Sequence, residues 1–257
     1  MTPRRKHPLR WLLVVPALLG ALIVGFVIWG LMPLGPTDSA LVALDSDSSV
    51  TVTHVKEGWV FTPVSGNASH GYVFYPGGHV DPRSYAPMAH ELAQRDCLVV
   101  IPEMPLALAV LKPNAADAAI ENHQEIGRWS IGGHSLGGVM AAQYAAEHLD
   151  TIRGLVLLAS YPANSTNLSD SGLRVVSLVG TQDGVVNMQA WTDAKPRLPA
   201  DTRFVDVPGA NHGRFGDYGP QPGDTADPKM SAVDQQRVTV DESVPVILDR
   251  PPSSSPY

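Results

Sequence analysis

The run Gly132-Gly133-His134-Ser135-Leu136-Gly137-Gly138 constrains the fold of this 257-residue chain more than any other stretch. Before it, Arg128-Trp129-Ser130-Ile131 finishes a short strand, and after it, Val139 to Ala146 reads as a helix of small and apolar residues. A strand that turns so abruptly into a helix leaves no room for a side chain at Gly133 or Gly137. It also strains the backbone of Ser135 and holds its hydroxyl out at the sheet edge, with a helix N-terminus aimed at whatever reacts there. This is the strand–turn–helix context of the G-x-S-x-G elbow. The bland alternative is a serine that caps a glycine-rich turn. The pattern arises by chance often enough that its context and partners have to decide.

The punctuation from Val50 onward supplies the context. Val50 to Val55 alternates as an edge strand, and Trp59 to Thr62 can pair with it after the Glu57-Gly58 turn. Apolar strands followed by helices come next. Gly71–Tyr75 precedes a helix from about Pro82 to Gln94, and Cys97–Ile101 precedes one near Ala115 to His123. Trp129–Gly132 precedes the elbow helix, which ends near His148. Ile152–Ala159, Leu173–Gly180 and Arg203–Val207 add three strands. Short buried strands alternating with helices predict a mostly parallel sheet flanked by helices, with ligands at the carboxyl ends of its strands. The dozen or so residues between the strands ending at Ala159 and starting near Leu173 leave no room for a large lid domain.

Every candidate catalytic residue falls at such a strand end. Ser135 follows one strand, Asp183 follows Val175 to Gln182, and His212 lies in Pro208-Gly209-Ala210-Asn211-His212-Gly213 after another. A serine hydroxyl attacks an acyl carbonyl only when a base takes its proton, the part His212 would play. Asp183 would bond the far imidazole nitrogen and fix the tautomer. Its plain alternative is an ordinary Asp-Gly turn, while Asp206 competes less well from inside a strand. Two backbone donors are needed for an oxyanion: the N–H of Leu136, and one from the loop Gly77-Gly78-His79, with Gly78 favoured. That glycine pair also suits a plain tight turn. Tyr161 and Tyr218 either line the acyl or leaving-group pocket or simply pack.

With these pieces in the order Ser, Asp, His, the chain resembles the α/β-hydrolase superfamily, most of all its small bacterial dienelactone-hydrolase-related branch. The residues carrying the resemblance are Phe74 to Pro82, Ile131 to Gly138, Gly180-Thr181-Gln182-Asp183-Gly184, Gly209-Ala210-Asn211-His212 and Phe215 to Gly219. It spans roughly residues 71 to 223 and implies the α/β-hydrolase fold and a catalytic triad of Ser135, Asp183 and His212. The activity it implies is serine hydrolysis of a carboxylic ester, lactone or thioester through an acyl-enzyme on Ser135. An acyltransferase shares that acyl-enzyme step, and a membrane-tethered binding protein that has lost catalysis is a further alternative.

Composition bounds the rest. The formal charge of −7 shows no nucleic-acid footprint. The single cysteine, Cys97, sits in an apolar strand and reads as a buried small hydrophobe rather than a nucleophile. His79 and Asp81 invite a metal, but no second ligand cluster has suitable spacing, so neither metal nor cofactor is expected. The partner implied is a small-molecule ester or acyl substrate.

Ahead of the domain, residues 1–10 carry Arg4, Arg5, Lys6 and Arg10. Trp11 to Met32 then runs 22 residues without a charge, enough to span about 30 Å of hydrocarbon as a helix. The positive-inside rule orients it N-terminus in, so a single-pass cell-membrane anchor with an extracytoplasmic catalytic domain is expected. A cleaved signal peptide is the rival, with a normally shorter apolar region. Residues 33–49, rich in Pro, Gly, Ser and Asp, read as a linker, 50–248 as the α/β-hydrolase domain, and 249–257 as a disordered tail.

Overall fold

The computed structural model describes residues 8–251, with side chains from residue 14 onward. Eight strands form one sheet: β1 (Val50–Val55), β2 (Gly58–Pro63), β3 (His70–Tyr75), β4 (Cys97–Pro102), β5 (Arg128–His134), β6 (Ile152–Leu158), β7 (Arg174–Gly180) and β8 (Arg203–Val207). Their order is β1-β2-β4-β3-β5-β6-β7-β8. The hairpin β1–β2 forms as its alternation predicts, with Val55 opposite Gly58, and it adds antiparallel to β4. From β4 through β3, β5, β6, β7 and β8 every pairing is parallel. The carboxyl ends of β5, β7 and β8 therefore lie along one edge, which brings residues far apart in sequence to one place.

Helices cover both faces. Leu92 of α3 (Ala86–Gln94) and Val238 and Ile247 of α7 (Ala232–Ile247) pack with Phe74, Val156 and Leu178 on one side. On the other, Ala116 of α4 (Ala115–Asn122) and Met140 and Ala141 of α5 (Leu136–Glu147) pack with Ile131, Leu155 and Val175. The central strands are buried on both faces, which explains their nearly unbroken apolar runs. Ile131 is fully buried, and truncating such a side chain to Ala costs about 2–5 kcal/mol. Cys97 is buried too, and burial raises its thiol pKa. Between β6 and β7 the chain makes no helix or strand, so no lid is inserted there. A short helix after β7, α6 (Met188–Ala194), precedes β8.

The N-terminal segment differs in part from expectation. A helix, α1, runs over Pro8–Gly30. Among the described residues no helix is long and apolar enough to cross a membrane, and the expected span over 11–32 begins on side chains outside them. The composition of 33–49 suggests a linker, yet this stretch is laid onto the domain. Leu34 bridges Val80, Thr37 caps α2 (Asp38–Val42), and Ala40 is fully buried. Asp47 accepts from the N–H groups of Ser49 and Val50, turning the chain into β1. Its polar residues are turn and cap formers rather than signs of a loose tether. At the other end, Asp249 pairs with Arg128 and Arg174 and the Arg250 N–H donates to the Pro245 carbonyl, while the expected tail beyond residue 251 lies outside the described residues.

Candidate active site

β5 ends at His134 and α5 begins at Leu136, leaving Ser135 alone to make the turn. Its backbone sits at φ 51°, ψ −121°, in a region that residues with a Cβ rarely adopt. Such strain persists only where the surroundings over-determine it. Here the Ser135 N–H donates to the Leu158 carbonyl at 2.9 Å, and the Ser135 carbonyl accepts from Ser160 Oγ at 2.7 Å. The glycines are steric necessities, as the sequence suggests. A Cβ on Gly133 would lie 2.5 Å from the Gly137 carbonyl carbon, and one on Gly137 would collide with the carbonyl oxygens of Tyr75 and Pro76. The serine side chain makes no cap hydrogen bond to α5, which removes the capping explanation.

Asp183 and His212 meet across the ends of β7 and β8. Nδ1 of His212 lies 2.8 Å from Asp183 Oδ2, and both side chains are buried. The carboxylate oxygen only accepts, so Nδ1 carries the proton and Nε2 of the neutral ring keeps its lone pair. The other carboxylate oxygen of Asp183 accepts from the N–H groups of Val185 and Val186, each at 2.8 Å. The Asp-Gly turn and the histidine partnership are thus both real, one on each oxygen. Nε2 of His212 is buried and has no hydrogen-bond partner among the described residues. Its ring lies 4.5 Å, centroid to centroid, from that of His134, the residue before Ser135. Among the described residues no hydrogen bond joins Ser135 Oγ to that nitrogen. Asp206 is exposed on β8, away from this arrangement.

The Gly77-Gly78-His79 loop also comes to the elbow. A Cβ on Gly78 would lie 3.1 Å from Leu136 Cδ2, so Gly78 packs on the residue after Ser135. The Gly77 N–H donates to Tyr85 Oη at 3.0 Å, and that of His79 donates to the Ala107 carbonyl at 2.8 Å. Of the three loop amides, that of Gly78 has no acceptor among the described residues. The Leu136 N–H opens α5 and has no carbonyl one turn back to bond. His79 Nε2 bonds the Trp29 carbonyl, and both Asp81 oxygens engage Arg83. Among the described residues no three His, Cys, Asp or Glu side chains gather as metal ligands. Tyr218 is buried with its ring 6.4 Å from His134, whereas Tyr161 is half-buried just past Ser160.

Three further residues complete the site. Tyr85 Oη, which accepts from Gly77, also shares a hydrogen bond of 2.9 Å with His134 Nδ1, coupling the glycine loop to the elbow. Burial first, and the neighbouring His212 second, hold His134 neutral by lowering its pKa well below the usual histidine value. Asp224 accepts from the N–H groups of Gly184 at 3.0 Å, His212 at 3.2 Å and Gly213 at 2.8 Å. One carboxylate thereby ties the loop carrying Asp183 to the loop carrying His212. No local pattern marks Asp224, which sits in a Gly/Pro-rich stretch. His134 and Tyr85 were hidden because a central residue of the elbow and a helix tyrosine carry no signal of their own.

A sequence model of the alpha/beta hydrolase family matches residues 71–237. No curated protein sequence matches the chain. Among solved structures, a dienelactone hydrolase from Anabaena variabilis is 18% identical, with 78% of this chain and 100% of that one covered at a TM-score of 0.60. A predicted CIB-like hydrolase from Thermoplasma acidophilum is 14% identical, covering 75% and 97% at 0.56. A feruloyl esterase module from Clostridium thermocellum, complexed with sinapinate, is 13% identical, covering 86% and 96% at 0.54. At these identities the likeness is one of fold.

Proposed function

Because the chain belongs to the alpha/beta hydrolase family, we propose that it hydrolyses a carboxylic ester or related acyl bond through an acyl-enzyme on Ser135. The observation that carries this reading is the buried Asp183–His212 pair, whose Nε2 has no hydrogen-bond partner among the described residues and whose ring lies 4.5 Å from that of His134, the residue before Ser135. Nε2 takes the serine proton as Oγ attacks the carbonyl carbon. Asp183 stabilises the resulting imidazolium without itself taking the proton. The carbonyl electron pair moves onto oxygen, where the N–H groups of Gly78 and Leu136 receive it. Collapse expels the alcohol, which takes the proton from His212. Water then repeats the sequence and releases the acid. The ester-cleaving names of several fold neighbours support this choice of bond without identifying a substrate.

The N-terminal helix is read as the anchor that holds this domain at the outer face of the cell membrane. From Val14 to Ile28 its large apolar side chains are exposed, and a basic cluster precedes it. Retention in the membrane fraction after alkaline carbonate washing, with the domain open to protease from outside, is the expected result. A mature N-terminus near Ala40 would identify a cleaved signal instead.

The catalytic reading is tested by labelling the full-length protein with a fluorophosphonate and mapping the adduct. Ser135 should be the modified residue, and Ser135→Ala should abolish labelling and lower kcat by several orders of magnitude. Full esterase activity in Ser135→Ala would sink it.

A further inference from the structure

We infer that the last turn of α1 is a positioning element of the oxyanion loop and that it acts through His79. This rests on the reading above, in which the Gly78 N–H receives the oxyanion. Every polar group of His79 with a partner points away from the chemistry and into structure N-terminal to the domain or beyond β4. Its N–H donates to the Ala107 carbonyl at 2.8 Å, its carbonyl accepts from the Leu34 N–H at 2.9 Å, and Nε2 donates to the Trp29 carbonyl at 2.8 Å. Its ring stacks on the Trp29 indole, centroids 4.0 Å apart and planes 10° from parallel. These bonds hold His79 at φ 59°, left-handed backbone that a residue with a Cβ seldom adopts unaided.

The surrounding contacts close the arrangement. Leu34 grips the loop twice, accepting from the Asp81 N–H at 2.9 Å as well as donating to His79. Gly30 seats against Leu106, and a Cβ there would lie 2.6 Å from Leu106 Cβ. Leu106 and Ala107 are themselves left-handed, at φ 52° and 54°, and Ala107 supplies the carbonyl that His79 bonds. The helix exit, the 105–108 turn and His79 therefore form one set of mutually dependent contacts. Gly78 sits between two pinned residues, Gly77 held by Tyr85 and His79 held by this set, while its own N–H has no acceptor among the described residues. Loosening His79 leaves that donor fixed from one side only. An oxyanion donor acts on charge that develops in the transition state, so its misplacement should appear in kcat rather than KM.

The test uses the full-length chain in phosphatidylcholine nanodiscs with p-nitrophenyl butyrate, reading kcat and KM separately for His79→Ala, His79→Gln, Trp29→Leu and Gly30→Val. His79→Ala and Gly30→Val should lower kcat about 10- to 100-fold with KM within about twofold. His79→Gln, whose amide can still donate to the Trp29 carbonyl, should recover most of that loss. Trp29→Leu keeps the carbonyl but loses the stacking and should show a smaller fall. It also carries the test on an exposed side chain if His79→Ala fails to fold. A merely structural role for His79 would lower Tm in all four variants while leaving kcat at low temperature untouched, and that result overturns the inference. Ser135→Ala run in parallel separates the two claims. If it is inactive while the His79 and Gly30 variants turn over normally, only this inference fails. If it is active, the underlying reading has failed.

Discussion

The elbow and the loop carrying the candidate base His212, the base loop, meet where the His134 and His212 rings lie 4.5 Å apart, and they are shaped by opposite means. At the elbow, geometry comes from what is missing: glycines at 133 and 137 let backbone approach backbone, and Ser135 is forced outward. At the base loop, geometry comes from what is added. Asp183 accepts a hydrogen bond from the imidazole on one oxygen and from two backbone amides on the other, and Asp224 gathers three more amides from both loops. The Gln235 side chain then accepts from the Asn211 N–H and donates to its carbonyl. Steric exclusion acts within a few residues, whereas carboxylates recruit partners from distant segments. A substitution at the elbow should therefore act through packing, and one at the base loop through proton position and loop order.

The largest effect that would sharpen this contrast is Asp183→Asn. The amide keeps the shape but disfavours the Nδ1–H tautomer, so kcat should fall by up to about 10⁴ while the fold survives. A variant retaining a tenth of wild-type kcat would break the assignment. At the elbow, Gly137→Ala places a methyl group against the carbonyls of Tyr75 and Pro76. Overpacking of this kind costs about 1–3 kcal/mol or more, so Tm should drop by at least several degrees. An unchanged Tm with full activity would show that the turn is not under steric compulsion.

The same contrast explains how much was legible in the sequence. The strands stood out because burial on both faces requires nearly continuous apolar runs, and the glycines of the elbow stood out because sterics is local. Asp183 and His212 drew notice by their places after strands, and the structure brings their side chains within 2.8 Å. What remained hidden is held by polar groups satisfied at long range. α7 carries its buried face partly on Gln235, Thr239, Glu242 and Ser243, so its apolar periodicity is faint. Those groups are buried at little cost because Thr239 and Ser243 donate to carbonyls one turn back and Arg203 binds Glu242. The stretch 33–49 read as a linker for the same reason: its turn formers resemble loose chain until their partners, such as Asp217, which engages Thr37 and Ser39, are known.

Asp224→Ala tests whether the base loop depends on its borrowed acceptor. Removing the carboxylate leaves the N–H groups of Gly184, His212 and Gly213 without it, and hydrogen bonds to a charged group are worth about 1.5–3 kcal/mol. Stability should fall by that order, and kcat by about 10- to 100-fold as His212 loses its fixed position. Labelling of Ser135 by fluorophosphonate should slow in step with kcat. If kcat is unchanged once the protein is shown to be folded, Asp224 is a stabilising residue without influence on the imidazole.

The smallest effect concerns His134, which lies where the two regions touch. Its pKa is held well below 6.5, chiefly by burial, so the folded protein keeps it neutral in mild acid. The unfolded chain binds a proton there as pH falls through about 6.5, so the unfolded state binds more protons and stability must decline with decreasing pH below that point. Above it the contribution is flat. At pH 5 an unfolded histidine gives up to about 2 kcal/mol of lost stability, or about 4–8 °C in Tm for a domain of this size. His134→Asn removes the titrating group at similar bulk, so its Tm should fall less between pH 7.5 and pH 5 than that of the wild type. His70, whose pKa is also lowered, is present in both proteins and cancels in the comparison. Equal falls would mean that His134 can take up a proton within the fold. The buried contact between the two histidine rings would then be looser than the 4.5 Å separation implies.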